Sequence, residues 1–166
     1  TIMDELGITQ EDVQTEEGFY QACELVKNSG YTVDGQSVFP VMLHADLWIR
    51  QSLDGIIAET FGVSPVDAEG NYRHKELDPG YKKALKFVNN LIQKGYLDIN
   101  SLTIDEAALK TYTEGGRVFC WIGNQAQQDK TNMPWVSFGP ILASNGARPA
   151  MPVNQSAGTG WIQTLV

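Results

Sequence analysis

A helical alternation of apolar and polar residues dominates positions 79–93, and the rest of the chain is organised around it. Asp78 can cap this helix, and Pro79 suits its first position, where no amide hydrogen is needed. The apolar positions lie three and four residues apart and form one stripe: Tyr81, Ala84, Leu85, Val88, Leu91 and Ile92. The pattern therefore predicts an amphipathic helix that begins at Pro79 and that Gly95 ends.

A second helix and a buried strand are predicted directly after this helix. Thr103 and Glu106 match a capping box at the start of the second helix, and the pair Gly115 and Gly116 ends it. Residues 117–122 are then apolar at nearly every position, which is typical of a strand with both faces buried. This order predicts an α/β fold with the strand at the centre of its sheet.

The first quarter of the chain predicts one helix and one strand. Residues 1–14 are acidic and show no clear period, and they are predicted to be an entry segment with one short turn. Thr15 then caps a helix whose end is marked by Lys27 and Gly30. The buried stripe of that helix is Phe19, Ala22, Cys23 and Val26. Residues 31–37 are predicted to be a polar loop. The strand follows at 37–43, where Pro40 indicates either a sheet edge or a bulge.

A further helix is predicted at about residues 47–61, with Asp46 as its cap and Gly62 at its end. Its apolar residues lie within one arc: Ile49, Leu53, Ile56, Ile57 and Thr60. Trp48 lies nearly opposite this arc, in the first turn, directly after a strand. It either packs against a neighbouring loop or lines a ligand surface, where its flat face can stack on a sugar ring.

Polar and aromatic residues also lie within or directly beside the other predicted strands. Asn124 and Gln125 come directly after the buried strand, at the edge where open α/β sheets bind their ligands. Asn124 can alternatively cap the next helix. Trp121 is either core or part of an aromatic lining, and Trp161 opens a last predicted strand. Aromatic faces combined with planar hydrogen-bonding side chains are typical of carbohydrate pockets.

Composition narrows the classes of function. A chain of 166 residues with 42% hydrophobic residues suits one domain. Its net charge of −8 argues against nucleic acid or an anionic membrane as a partner, because both need a basic surface. Cys23 and Cys120 are predicted to be two separate buried thiols, although a disulfide remains open.

Residues for metal binding or catalysis do not form a pattern. His44 and His74 lie far apart, and no pair of Cys or His residues has the spacing of metal ligands. The fingerprints of nucleotide-binding loops and of serine hydrolases do not occur. We therefore expect no metal, no cofactor and no catalytic centre.

The order and spacing of the motifs resemble those of the family 1 extracellular solute-binding proteins of bacterial ABC importers, the maltose-binding-protein-like family. The matching segments are residues 4–7, 15–19, 70–71, 79–87, 91–98, 102–107 and 115–119, followed by Gly123. The resemblance implies an α/β chain with a central sheet flanked by helices. Residues 1–166 would form a single lobe, the helix-rich second lobe of a type II periplasmic-binding-protein-like fold. Residues 161–166 would be the strand that crosses the hinge, and the other lobe would precede and follow this one.

By the same resemblance, the protein is the substrate-binding component of an ABC importer and captures a carbohydrate, expected to be an oligosaccharide, without catalysis. Its cleft residues would be His44, Asp46, Trp48, Asn124 and Gln125, with Trp161 near the hinge. The expected partners are the membrane subunits of the transporter, with no nucleic acid, and the protein is expected to be a monomer. The expected location is extracellular, as a membrane-anchored surface lipoprotein, or periplasmic. The alternative is a carbohydrate-active enzyme or an accessory carbohydrate-binding domain, and catalysis would need a cleft carboxylate pair about 5–10 Å apart.

Overall fold

A computed structural model describes residues 1–43, 51–67, 69–123, 135–136, 141–144 and 146. The α-helices are α1 (Ile2–Leu6), α2 (Glu16–Asn28), α3 (Ala58–Thr60), α4 (Pro79–Gln93) and α5 (Glu106–Glu114). The strands are β1 (Thr32–Val33), β2 (Gln36–Ser37), β3 (Phe39–Leu43) and β4 (Val118–Ile122). A π-helix (Gln51–Ile57) runs directly into α3, and 3₁₀-helices span Lys75–Leu77 and Ile99–Thr103. Within these ranges, no helix has the length and apolar character needed to cross a membrane.

β3 and β4 form a small parallel sheet at the centre of the fold. Their register pairs Phe39 with Val118 at one end and Leu43 with Ile122 at the other. On its other side, β3 bridges to Leu97 through Val41. Among the described residues β3 is thus one of the two strands of this sheet, as the edge alternative predicts, with a bridge on its other side.

Pro40 lies where the hydrogen bonding of β3 changes sides. The N–H of Phe39 donates to the carbonyl of Arg117, 2.8 Å away, whereas the N–H of Val41 donates to the carbonyl of Tyr96 at 3.0 Å. Proline has no N–H, so it leaves no donor unpaired at this point. The change of side is the kind of irregularity that the bulge alternative predicts.

Helices cover both faces of the sheet. The larger cluster joins β3 and β4 to α2, α3 and α4, and its most buried members include Phe19, Cys23, Val41, Leu43, Ala58 and Leu91. The smaller cluster consists of Met42, Leu109 and Val118, with Tyr112 of α5 packed against it. The chain is thus a mixed α/β fold with a small, largely buried parallel sheet, as the apolar strands predicted.

The predicted ends of α2 and α4 agree with the structure, but one position of the α4 stripe is wrong. The carboxylate of Asp78 accepts a hydrogen bond from the N–H of Gly80 at 2.8 Å, and Gly95 follows the helix with a φ of 68°. Leu85, predicted to be buried, is 48% exposed. Phe87 is buried in its place, because its ring packs between those of Phe19 and Phe61, with centroids 6.0 and 5.8 Å away.

The predicted capping box of α5 is also wrong. The cap is Asp105, whose carboxylate accepts a hydrogen bond from the N–H of Ala108 at 2.7 Å. Thr103 instead ends the preceding 3₁₀-helix, where its hydroxyl donates to the carbonyl of Asn100. Because a 3₁₀-helix precedes α5, the start of α5 lies two residues later than the capping box predicted.

The first quarter of the chain contains a hairpin that was missed and a short helix where one short turn was predicted. The segment predicted to be a polar loop contains the hairpin β1–β2, whose turn is formed by Asp34 and Gly35 with φ values of 51° and 73°. An Asp-Gly pair is the residue combination that such a turn favours. The acidic entry segment contains α1, whose capping box joins Thr1 and Asp4.

Candidate functional site

The carboxyl ends of β3 and β4 lie side by side. Leu43, the last residue of β3, is the register partner of Ile122, the last residue of β4. The segments that leave the two strands therefore begin at adjacent positions on one edge of the sheet. In open parallel sheets this edge is where ligands bind.

The six candidate ligand residues all lie outside the described part of the chain: His44, Asp46, Trp48, Asn124, Gln125 and Trp161. The first three belong to the segment that leaves β3, and Asn124 and Gln125 belong to the segment that leaves β4. The structure fixes the neighbouring strand ends from which these segments start. The roles of the six side chains stay predictions.

Ser52 ties the helix that follows β3 to the end of β4. This residue is completely buried, and its hydroxyl donates a hydrogen bond of 2.7 Å to the carbonyl of Ile122. A carbonyl at the end of a strand needs a hydrogen-bond partner when it is buried, and the serine supplies one. The bond joins the helix after β3 to the end of β4, and the α-helical period of the sequence does not indicate it.

The reason for the miss is the π-helix that carries Ser52. In a π-helix the hydrogen bonds join residues five apart, whereas an α-helix brings residues three and four apart to one face. Ser52 and Ile57 are both buried, and so is Ala58, while Leu53 packs partly buried against the larger cluster. The predicted arc contained Leu53 and Ile57 but not Ser52. Such π-helical turns occur frequently at functional sites.

Trp121 and Gly123 form the β4 side of this edge. The indole of Trp121 is half-buried and packs against the smaller cluster, which corresponds to the core alternative for this residue. A Cβ placed on Gly123 would collide with ring atoms of Trp121. Glycine is therefore required at position 123, because the indole lies over its backbone.

The two cysteines are free thiols in the larger cluster. Burial raises the pKa of Cys120 to about 12. Burial also raises the pKa of Cys23 well above its ordinary value, with a smaller contribution from the nearby Cys120. Both thiols are protonated at neutral pH and serve as small apolar side chains rather than nucleophiles.

Glu59 lies two residues after the end of the π-helix, and its carboxylate has a raised pKa. Partial burial raises its pKa above the ordinary value, and the positive charge of Lys75 partly opposes this effect. No group of three or more metal-binding side chains occurs among the residues that the structure describes.

A shallow groove of about 380 Å³ lies elsewhere, beside Pro40, Tyr96 and Leu97. Its lining does not include the last residues of β3 or β4, so it is separate from the candidate site. Comparison of the chain with protein-family models gives no match, and a search among curated proteins gives none either.

Proposed function

We propose that this chain is a ligand-binding lobe of the substrate-binding component of a bacterial ABC importer, and that it captures a carbohydrate without catalysis. The observation that supports this proposal is the parallel pairing of Leu43 with Ile122. It brings the two segments with the candidate ligand residues to one edge of the sheet. The resemblance in motif order suggests the family, and the general preference of open parallel sheets for ligands at this edge supports the position of the cleft.

In this proposal side chains from both segments contact the sugar. Trp48 stacks its indole on a sugar ring, as flat aromatic faces do in carbohydrate pockets. Asp46, Asn124 and Gln125 exchange hydrogen bonds with the sugar hydroxyls, and His44 adds a further polar contact. Trp161 lies near the hinge crossing. A second lobe closes over the ligand, as in other two-lobe binding proteins that close about a hinge.

The cellular setting follows from the same proposal. The partners are the membrane subunits of the importer, and the binding protein acts as a monomer outside the cell. It is held at the surface by a lipid anchor or is retained in the periplasm. The free energy of binding has to come from contacts in the cleft, because no bond is made or broken.

A thermal-shift screen of the 166-residue chain tests this proposal. The probes are maltotriose, cellotriose, xylotriose, a mixture of tripeptides and Ca²⁺, each at millimolar concentration, because one lobe supplies only part of a two-lobe pocket. A ligand at ten times its Kd stabilises the folded state by about 1.4 kcal/mol. We expect one of the trisaccharides to raise the melting temperature.

The variants Trp48→Ala and Asn124→Ala should abolish this shift. Tyr72→Ala is the matched control, because Tyr72 is an aromatic residue that is 74% exposed on a different part of the chain. A shift with the tripeptides alone would contradict the carbohydrate assignment. Turnover of a trisaccharide during the assay would replace the proposal with the enzyme alternative.

A further inference from the structure

The charge of this acidic protein is strongly segregated along the chain. Residues 73–94 contain six of the twelve basic residues and only two of the twenty acidic residues, a net charge of +4. The remainder has six basic and eighteen acidic residues, a net charge of −12. The overall value of −8 therefore conceals one basic region.

The structure places the centre of this region on the outward side of α4. Lys82, Lys83 and Lys86 are exposed, and α4 contains no acidic residue. None of the three forms an ion pair with another described residue. By contrast, Arg73 is paired with Asp78 at 3.0 Å.

Exposed apolar side chains lie at the amino-terminal end of the same helix. Leu77 is 82% exposed and Tyr72 is 74% exposed, and Leu85 of α4 is also largely accessible. The ion pair between Arg73 and Asp78 holds the segment that carries Tyr72 at the cap of α4. We call the surface formed by Tyr72, Leu77, Lys82, Lys83, Leu85 and Lys86 the α4 face.

We propose that the α4 face binds the surface of an anionic lipid bilayer. Lysines near such a surface are attracted by its negative potential, and aromatic and aliphatic side chains beside them enter the headgroup region. Physiological salt screens charges over about 8 Å, so acidic groups farther than that from the α4 face oppose this attraction only weakly. The net charge of the whole chain therefore does not predict whether this surface binds an anionic bilayer.

A bilayer fits the α4 face better than an acidic protein surface does. Leu77 and Tyr72 project into solvent over most of their surface instead of lining a concavity. Projecting side chains can enter a fluid lipid layer without a pocket of matching shape. A protein partner would need a pocket for each of them, because anchor residues of protein interfaces are buried in well-packed pockets. The inference does not depend on the proposed carbohydrate site.

Co-sedimentation of the whole chain with vesicles tests the inference. The vesicles contain equal parts of phosphatidylglycerol and phosphatidylcholine, and the reference vesicles contain phosphatidylcholine alone. We expect binding to the anionic vesicles at about 0.1 M salt, where charges are screened over about 10 Å, and a loss of binding as salt is raised further. A wild-type chain that stays in the supernatant with anionic vesicles at about 0.1 M salt would overturn the proposal.

Charge variants separate the α4 face from the other lysines. Each lysine at an anionic surface contributes about 1 kcal/mol, or about fivefold in partitioning. The triple variant Lys82→Gln, Lys83→Gln, Lys86→Gln should therefore lose binding on the order of a hundredfold. Lys110→Gln is the matched control, because Lys110 is exposed on α5 and paired with Glu114 at 3.5 Å. Equal losses per lysine in the triple variant and in Lys110→Gln would contradict the proposal.

Apolar variants separate a bilayer from a soluble polyanion. Leu77→Ser should weaken vesicle binding severalfold, whereas Ile99→Ser, at a site 60% exposed on the second 3₁₀-helix, should not change it. Binding to a short DNA duplex should be weak and indifferent to Leu77→Ser. Binding of the duplex as strong as that of the vesicles, with Leu77→Ser changing neither, would show a charge effect alone and refute the lipid assignment. Unchanged melting temperatures confirm that each variant is folded.

Discussion

α4 and the helix at residues 51–60 pack against each other, yet they are specified in different ways. α4 begins at the cap that Asp78 provides and ends before Gly95, both as its own sequence predicts. The helix at 51–60 is π-helical over its first seven residues, and the hydroxyl of its buried Ser52 donates a hydrogen bond to β4. The first helix is defined by local signals, and the second is defined by a contact with a strand distant in sequence.

Both helices contact the core, so isolation of one of them is not the cause of this difference. Phe61, directly after α3, packs its ring 5.8 Å from that of Phe87 in α4. A Cβ on Gly80 would lie 2.7 Å from the carbonyl oxygen of Phe61, so the two backbones also approach closely at this point. Both helices thus share one core, and what separates them is the position of the second beside the carboxyl ends of the strands.

The largest expected effect comes from the shared core. Phe87→Ala should lower the free energy of unfolding by about 3–5 kcal/mol, because it removes a buried ring and leaves a cavity. Urea unfolding followed by circular dichroism measures the change. Leu85→Ala in the same helix is the control and should change stability by less than about 0.5 kcal/mol, because Leu85 is 48% exposed. Equal losses of unfolding free energy at the two sites would support the predicted stripe, in which Leu85 is buried.

A smaller effect is expected at the tether of the π-helix. Ser52→Ala should cost about 1–3 kcal/mol, because it removes a completely buried hydroxyl and the hydrogen bond that this hydroxyl donates to the carbonyl of Ile122. Ser101→Ala is the matched control: Ser101 is 5% exposed, and its hydroxyl donates to the carbonyl of Asp98 within the same local turn.

Hydrogen exchange distinguishes the tether from an ordinary buried hydroxyl. Ser52→Ala should speed exchange in peptides covering both 51–60 and 118–123, because the bond joins these two elements. Ser101→Ala should affect only peptides around its own 3₁₀-helix. Faster exchange confined to 51–60 in the Ser52 variant would show that the bond does not couple the helix to β4.

The next smaller loss of stability is expected at the helix caps. Asp78→Ala should cost about 1 kcal/mol, because α4 loses its cap. Thr103→Ala, at the residue that the sequence pattern assigned as the cap of α5, should cost less than about 0.5 kcal/mol, because Thr103 is exposed and does not cap α5. Thermal unfolding of the two variants in parallel makes the comparison. A larger loss at Thr103 than at Asp78 would contradict the caps that the structure shows.

The elements predicted best from the sequence are those whose signals are local. The buried stripe of α2 was predicted in full, because its caps and its period agree with each other. Phe87 was missed because its burial depends on Phe19 and Phe61, which are distant in sequence. Ser52 was missed because it lies in a π-helix, whose buried positions do not follow the α-helical period.

For the candidate site, the sequence predicted side chains after two strands, and the structure describes the ends of those strands. The parallel pairing of Leu43 with Ile122 places these two strand ends side by side. The positions of Trp48 and Asn124 remain predictions, because both lie outside the described residues. The π-helix could not be predicted from a helical period, because a period derived for α-helices assigns its inward residues incorrectly.

The smallest expected effect is a pH dependence at the carboxyl end of the same helix. Partial burial raises the pKa of Glu59 above its ordinary value of 4.5. The folded state then holds the proton to higher pH than the unfolded state does, so this residue lowers stability as pH rises above 4.5 through the raised pKa. Glu59→Gln should therefore raise the melting temperature at neutral pH and have no effect below about pH 4, where the wild-type carboxyl is also neutral.

Melting curves between pH 3 and pH 8 measure the difference, with Glu11→Gln at an exposed site as the control. Because the positive charge of Lys75 opposes the shift, Lys75→Gln should enlarge the benefit of Glu59→Gln, and an unchanged benefit would mean that the two groups do not interact.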